Sequence, residues 1–182
     1  MSKSAFALCI AGLAFLPLQP AIAKKAQTEQ NTTKVDSETK NFVKNARIGG
    51  NFEVESSHLA LQKSQDAGLR GFAEQMVTDH TKAGEQLEEA LSNANMTVAE
   101  PPVGEKLDKK HEAMLGKLRN ASGAQFDRMY VKMQQDAHKE AVALFRKYAK
   151  NGDNAALKSF AQHTLPTLQE HQKHITQMTI SS

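Results

Sequence analysis

Imidazole and carboxylate side chains at inward-facing helical positions are the groups in this chain that could do chemistry. At about 100° per residue, His80 and His171 fall within apolar stripes, and His138 falls on a second apolar strip of its helix. Glu140 is predicted to point inward, and Glu53 lies toward the edge of its stripe. Because neutral imidazole and carboxylate bind zinc, copper and iron, this set suggests a metal site.

Glu53 and His80 are expected to face each other across the first helical hairpin. If the turn centres on residues 65–68, each lies about 13 to 14 residues from it. A buried acid and imidazole need a partner, a proton or a metal. Three interpretations stay open: a hydrogen-bonded pair that fixes helix register, a mononuclear metal site completed by His138 or His171, or pairing of these groups with backbone or water.

A carboxylate-bridged di-iron centre is not expected. Such centres use two Glu-x-x-His motifs, and no Glu precedes His80 or His171 by three residues. Glu140 and His171 also lie at unequal distances from the second predicted turn, which argues against one site that holds all the candidates. Any cofactor is therefore predicted to be a single divalent ion: zinc, copper or iron. The candidate ligands are Glu53, His80, His138, Glu140 and His171.

Apolar periodicity predicts an all-α fold that positions these groups. The predicted helices span about residues 37–64, 68–93, 106–119, 123–151 and 154–178. The third is short and charged, and it lies in a long crossover that Pro101 and Pro102 interrupt. Four long helices, two hairpins and one such crossover are typical of a ferritin-like four-helix bundle with a short extra helix between its second and third long helices.

Three local features refine this prediction. Gly49 and Gly50 lie inside the first helix, where each costs about 1 kcal/mol relative to Ala, so a neighbouring helix is expected to approach closely there. Ser122 is predicted to cap the fourth helix and Asp153 the last one. Pro166 is predicted to kink the last helix, because it removes a backbone hydrogen bond.

The N-terminus has the pattern of a signal peptide over residues 1–23. A basic start at Lys3 is followed by an apolar run of about 14 residues, shorter than the ~20 that span a bilayer. Ala21 and Ala23 supply the small residues read by signal peptidase, so cleavage is expected after Ala23. Cleavage removes Cys9, the single cysteine, and with it any thiol chemistry. A polar leader is predicted over residues 24–36 and the bundle over 37–180.

Composition narrows the function without assigning it. A net charge of +3 does not suggest a nucleic-acid partner, and no phosphate loop or nucleophile motif is present. We predict an exported periplasmic protein that is not transmembrane after cleavage. The favoured function is non-enzymatic, that of a binding or envelope-protective protein. The alternative is a metal-binding protein or oxidoreductase with its site inside the bundle. A third interpretation is peripheral association with the outer membrane; ligand and partner are unassigned.

Seven blocks of sequence carry a resemblance to a known family. They are Phe42-Val43, Glu53-Val54, Leu59-Ala60-Leu61, FAEQMVTDH at 72–80, GAQFDRMY at 123–130, the stretch 138–145, and LPTLQEH at 165–171. Together they resemble the DUF4142 family of exported bacterial proteins, described as predicted outer membrane proteins, over about residues 38–176. The resemblance implies a ferritin-like bundle in the periplasm and no established activity. One departure is that Ala137 separates Asp136 from His138, which are usually an adjacent Asp-His pair in that family.

Overall fold

The computed structural model describes residues 36–97 and 107–179. Their helices are α1 (Ser37–Lys63), α2 (Ala67–Asn93), α3 (Lys109–Asn120), α4 (Gly123–Asn151) and α5 (Ala155–Gln177), and no strand occurs in these two ranges. The predicted all-α fold is therefore confirmed, with helix ends within about three residues of the predicted ones. The predicted signal peptide, nearly all of the leader and the Pro101-Pro102 break lie outside the described residues.

Short polar side chains define where the helices begin. Asp36, Asp66, Asp108 and Asn154 occupy N-cap positions, and each side chain accepts hydrogen bonds from backbone N–H groups of the first turn. The predicted cap at Asp153 is wrong, because Asn154 takes that position. Ser122 does stand at the N-cap of α4, but its side chain makes no capping hydrogen bond. The kink predicted at Pro166, which lies inside α5, stays a prediction.

The four long helices form a ring in which α1 packs on α2 and α4, and α5 packs on α2 and α4. Thr39 at the start of α1 lies 2.6 Å from the hydroxyl of Tyr148 at the end of α4, whereas Ser57 late in α1 lies 2.9 Å from the hydroxyl of Tyr130 early in α4. These contacts make α1 and α4 antiparallel. Since α2 and α4 then run in the same direction, the chain must return along the bundle between them, and α3 packs on α1 and α4 within that crossover.

The core consists of two apolar clusters. One is built around Phe72, Met76 and Phe126 and also contains Leu115 and Leu118 of α3. The other lies toward the opposite end of the bundle and is built mainly from these buried residues: Phe42, Leu87, Val142, Phe145, Tyr148, Phe160 and Leu168. On α2, α4 and α5 a buried histidine lies between positions that belong to the two clusters, and on α1 the buried Glu53 directly follows Phe52 of the first cluster. A polar layer therefore crosses the middle of the bundle.

Two expectations about packing are wrong. A Cβ atom added at Gly49 or Gly50 would meet no heavy atom within 4 Å, so no helix approaches these glycines closely. The inward position predicted for Glu140 is the second, because on α4 the strip that contains Val131, His138 and Val142 faces the core instead. No helix among the described residues is long and apolar enough to cross a membrane.

Candidate metal centre

Each of the four long helices contributes one side chain to the polar layer. Glu53 comes from α1, His80 from α2, His138 from α4 and His171 from α5, with exposed fractions of 2%, 5%, 0% and 1%. The antiparallel ring brings them to one height although they are distant in sequence. A buried polar residue must find hydrogen-bond partners or bind an ion, so this layer is the part of the core that requires an explanation.

The three imidazoles form a nearly equilateral triangle. Their ring centroids are separated by 5.6 Å (His80 to His138), 5.5 Å (His80 to His171) and 5.5 Å (His138 to His171). Three imidazoles bound to one zinc ion at 2.0–2.1 Å have centroids about 5 to 5.5 Å apart. One ring nitrogen of each histidine lies within 4.8 Å of one from each of the others. Small side-chain rotations would bring these nitrogens to the ~3.4 Å that tetrahedral zinc requires.

One nitrogen of each ring lies against an acceptor. His80 Nδ1 lies 3.0 Å from Glu53 Oε2, and His138 Nδ1–H donates to the Gln134 carbonyl oxygen at 2.9 Å. His171 Nε2 lies 2.9 Å from Asp79 Oδ2. Such contacts place the ring proton on the nitrogen that faces the acceptor, and they leave a lone pair on the other nitrogen.

The remaining nitrogens are buried and unsatisfied. Within residues 36–97 and 107–179, His80 Nε2, His138 Nε2 and His171 Nδ1 have no hydrogen-bond partner. Buried polar atoms in proteins are nearly always satisfied, so these three lone pairs in one layer need a hydrogen-bond donor or a metal ion. A metal ion with open coordination positions is such a partner.

Burial keeps the imidazoles neutral. It lowers the pKa of His80 well below its ordinary value, and the neighbouring His138 and His171 lower it further. Burial also lowers the pKa of His138 to about 4. For His171, burial lowers the pKa although the hydrogen bond that its ring donates to Asp79 opposes the shift. Only the neutral form of histidine binds a metal, so the layer favours the ligating form.

Glu53 is held beside the histidines by a polar network from α4. Its backbone carbonyl accepts from the hydroxyls of Ser56 and Ser57, at 3.2 and 2.6 Å. Gln134 donates to Ser56 at 2.8 Å, and Ser57 lies 2.9 Å from the hydroxyl of Tyr130. Burial raises the pKa of the Glu53 carboxyl to about 8. Its Oε1 atom, 3.4 Å from His138 Nδ1, has no hydrogen-bond partner among the described residues.

Four of the five candidate ligands therefore lie together, and the fifth does not. Glu140 is 65% exposed and pairs with Lys110 at 3.0 Å, so its predicted inward position is wrong. It lies two residues, or about 200°, from His138 on the same helix, and the burial of one requires the exposure of the other. Asp79, which contacts His171, has no predicted role; its position next to His80 is the signal that the sequence offers. The hydrogen bond that His138 donates to Gln134 could not be predicted from residue types, because its acceptor is a backbone carbonyl.

The fold and the buried residues define an all-α four-helix bundle with a three-histidine cluster in its core. The sequence matches the family described as "Domain of unknown function (DUF4142)" over residues 24–178, and the chain belongs to this family. Among curated proteins, none matches.

Two solved structures have a similar fold. One is a DUF305 fragment from Deinococcus radiodurans, 16% identical, with a TM-score of 0.65 over 78% of this chain and 94% of that one. The other is a DUF305 protein from Streptomyces coelicolor whose description includes the word secreted; it is 15% identical, with a TM-score of 0.61 over 76% of this chain and 88% of that one. At these identities the likeness concerns the fold alone.

Proposed function

We propose that this protein is an exported metal-binding protein whose His80, His138 and His171 hold one divalent ion in the centre of the bundle. The observation that carries the proposal is a cluster of three buried imidazoles, each with one ring nitrogen against an acceptor and the other without a hydrogen-bond partner among the described residues. A histidine that ligates a metal usually donates its other N–H to a carboxylate or a backbone carbonyl, as all three would do here.

Zinc is the ion that this ligand set suits best. Three neutral imidazoles without a thiolate fit the ligand sets of zinc, copper, iron and nickel, and zinc accepts three histidines with one further position open to water or a small ligand. The positive charge of a bound ion would favour the ionised form of Glu53, so Glu53 and Asp79 would supply negative charge from behind His80 and His171. Copper and iron are the alternatives that a metal titration distinguishes.

A purely structural hydrogen-bonded layer explains these residues less well. The contact between Glu53 and His80 alone could fix the register of α1 on α2. That role needs neither His138 nor His171, and it leaves three lone pairs unsatisfied in the core. The metal proposal accounts for all four side chains with one ligand.

The proposal is tested directly by the metal content of the protein, expressed with its N-terminal signal sequence and purified without a His tag. We expect about one metal per chain by elemental analysis, and tight binding of one Zn²⁺ by the chelator-treated protein in a calorimetric titration. His138→Ala should abolish stoichiometric binding, whereas His58→Ala, at an exposed position of α1, should leave it unchanged.

A wild-type protein that binds less than about 0.1 zinc, copper or iron per chain after equilibration with each metal would refute the proposal. Equal binding by the His138→Ala and His58→Ala proteins would refute the assignment of the site. Circular dichroism of each variant establishes that a loss of binding is not a loss of fold.

The cellular role that we propose is retention of a metal ion in the periplasm as a binding or envelope-protective protein. The support is the N-terminal pattern of a signal peptide with cleavage after Ala23. Fractionation of expressing cells and the N-terminal sequence of the mature protein test this assignment. Release from a membrane pellet by high salt would identify peripheral association with the outer membrane.

A further inference from the structure

A cavity of about 270 Å³ adjoins the polar layer. All four long helices contribute to its wall, and Glu53 and His80 are part of it. It reaches the surface between α1 and α4, where Asn45 and Glu140 line it and are exposed. By comparison, an apolar cavity of about 150 Å³ in a protein core holds benzene. The present cavity has room for a larger molecule.

Small residues keep this cavity open. Gly49 and Gly50 of α1 and Ala137 and Ala141 of α4 line it. Small residues on facing helices usually allow close packing, yet a Cβ atom at either glycine would meet nothing within 4 Å. Larger apolar side chains would fill this space and stabilise the bundle, because unfilled volume in a core is destabilising. The sequence instead preserves a space that a ligand can occupy.

The wall of the cavity selects an uncharged, largely apolar molecule. Leu87, Phe145, Phe160 and Leu168 supply apolar surface, and the two Phe rings lie 5.7 Å apart. The charged groups of the outer wall have partners: Arg47 pairs with Glu88 at 2.8 Å, and Glu140 with Lys110.

Two polar atoms of the buried wall residues lack a hydrogen-bond partner in the described parts of the chain, Nε2 of His80 and Oε1 of Glu53. Glu53 is 2% exposed, and its Oε1 atom accepts or donates no hydrogen bond within the described parts of the chain. A hydroxyl group is both donor and acceptor and would satisfy this atom. The other end of such a molecule would contact the apolar wall.

We infer that this cavity binds a small aromatic alcohol, with its ring against Phe145 and Phe160 and its hydroxyl group on the carboxyl of Glu53. The ligand class is that of phenols and naphthols, which combine a flat apolar body with one hydroxyl. This binding site shares Glu53 and His80 with the proposed metal centre but requires no bound metal.

Equilibrium dialysis of the full-length mature protein with 1-naphthol, and in parallel with naphthalene, tests the inference. We expect saturable binding of one 1-naphthol per chain with a Kd in the micromolar range. Naphthalene, which has the same rings without the hydroxyl, should bind at least about tenfold more weakly, because it leaves Glu53 unpaired. Equal affinity for the two compounds would refute the role of Glu53.

Two cavity variants and one matched control locate the site. Gly50→Leu and Ala141→Leu place a larger side chain on the wall, and each should weaken 1-naphthol binding at least about tenfold. Gly71→Leu makes the same Gly-to-Leu change at an exposed position of α2 with nothing within 4 Å, and it should have no effect. Undiminished binding by both cavity variants, or the absence of saturable binding by the wild type, would refute the site.

Protein that has been treated with a chelator and protein that has been loaded with Zn²⁺ separate the two proposals. Binding of 1-naphthol by both forms is expected. A chain that binds no metal but binds 1-naphthol in this way would refute the metal proposal and support the cavity site. A chain that binds Zn²⁺ through the histidines but no 1-naphthol would support the metal proposal and refute the cavity site.

Discussion

Oε2 of Glu53 lies 3.0 Å from Nδ1 of His80, and both residues are almost completely buried. The contact joins α1 to α2 at the height where His138 and His171 enter from α4 and α5. It fixes one nitrogen of the His80 ring, whose centroid lies 5.6 and 5.5 Å from those of His138 and His171. The acid therefore acts on the candidate metal site through the imidazole.

Removal of the carboxylates behind the histidines should weaken metal binding without eliminating it. Glu53→Gln and Asp79→Asn keep the shape of each side chain but lose the charge that makes His80 and His171 better ligands. We expect the affinity for Zn²⁺ to fall about 10- to 100-fold in each variant, with one ion still bound per chain. Competition with a chromophoric chelator measures these affinities.

Asp136→Asn is the control for the effect of charge alone. Asp136 is 55% exposed and pairs with Lys132 on the surface of α4, so its neutralisation should leave the Zn²⁺ affinity within about twofold of wild type. Affinities of the Glu53 and Asp79 variants equal to that of the Asp136 variant would exclude a role for the buried carboxyl contacts in ligand orientation.

Metal binding should stabilise the folded bundle, because the three ligands come from three helices that separate on unfolding. At a free Zn²⁺ concentration of 100 times Kd, the free energy of unfolding should rise by about 2.7 kcal/mol, and a chelator should reverse the gain. Urea denaturation followed by helical circular dichroism measures the change.

The same experiment on two histidine variants separates specific from general effects of zinc. His171→Ala should lose the Zn²⁺-dependent stabilisation, whereas His163→Ala, at an exposed position of α5, should retain it. Stabilisation of the His171→Ala protein by as much as the wild type would show that the ion acts elsewhere.

Gly50→Ala should stabilise the protein by up to about 1 kcal/mol. Alanine loses less conformational entropy than glycine in a helix, and the added Cβ would have open space around it. Chemical denaturation at equilibrium measures the free energy of unfolding.

Gly152→Ala makes the same change with the opposite expectation. Its Cβ would lie 2.6 Å from Cε1 and 2.7 Å from the carbonyl oxygen of Tyr148, so the end of α4 would have to move. We expect destabilisation by about 1–3 kcal/mol. A stabilised Gly152→Ala protein would show that the turn between α4 and α5 adjusts freely.

Alkaline pH should unfold the bundle through its two tyrosines. Burial raises the pKa of both Tyr130 and Tyr148 above the ordinary value of 10.0. A folded-state pKa above the unfolded one contributes stability that is present below pH 10 and is lost as pH rises toward the folded pKa. The unfolded form therefore gains in population above pH 10.

Tyrosinate absorbance and helical circular dichroism, recorded during the same titration, check this expectation. The chain has 2 Tyr and 0 Trp, so the tyrosinate absorbance comes from these two side chains. The two signals should change together above pH 10. Ionisation of both tyrosines near pH 10 in a protein that remains helical would contradict the buried positions of their hydroxyls.

Local sequence was enough to predict the contact between Glu53 and His80. The turn between α1 and α2 is short, at residues 64–66, so the distance of each residue from the turn fixes its height in the hairpin. Helix periodicity supplied the inward direction of His80. The structure agrees with both inferences.

The position of His138 could not be derived in the same way. α4 carries two apolar strips, and its register on α1 is set across a crossover rather than by a tight turn. The strip that looked secondary in the sequence faces the core, which buries His138 and exposes Glu140. The contact of Asp79 with His171 had the same difficulty, because α2 and α5 are not consecutive and only their packing brings the two residues together.

The polar layer between the two apolar clusters has a consequence for motion. No long helix can detach from the ring without removing one member of the quartet formed by Glu53, His80, His138 and His171. An ion bound there would link the helices at this layer. Backbone amide hydrogen exchange at the middle of all four helices would then slow together. Release of the ion would then require local opening of the bundle, and the frequency of that opening would set the release rate.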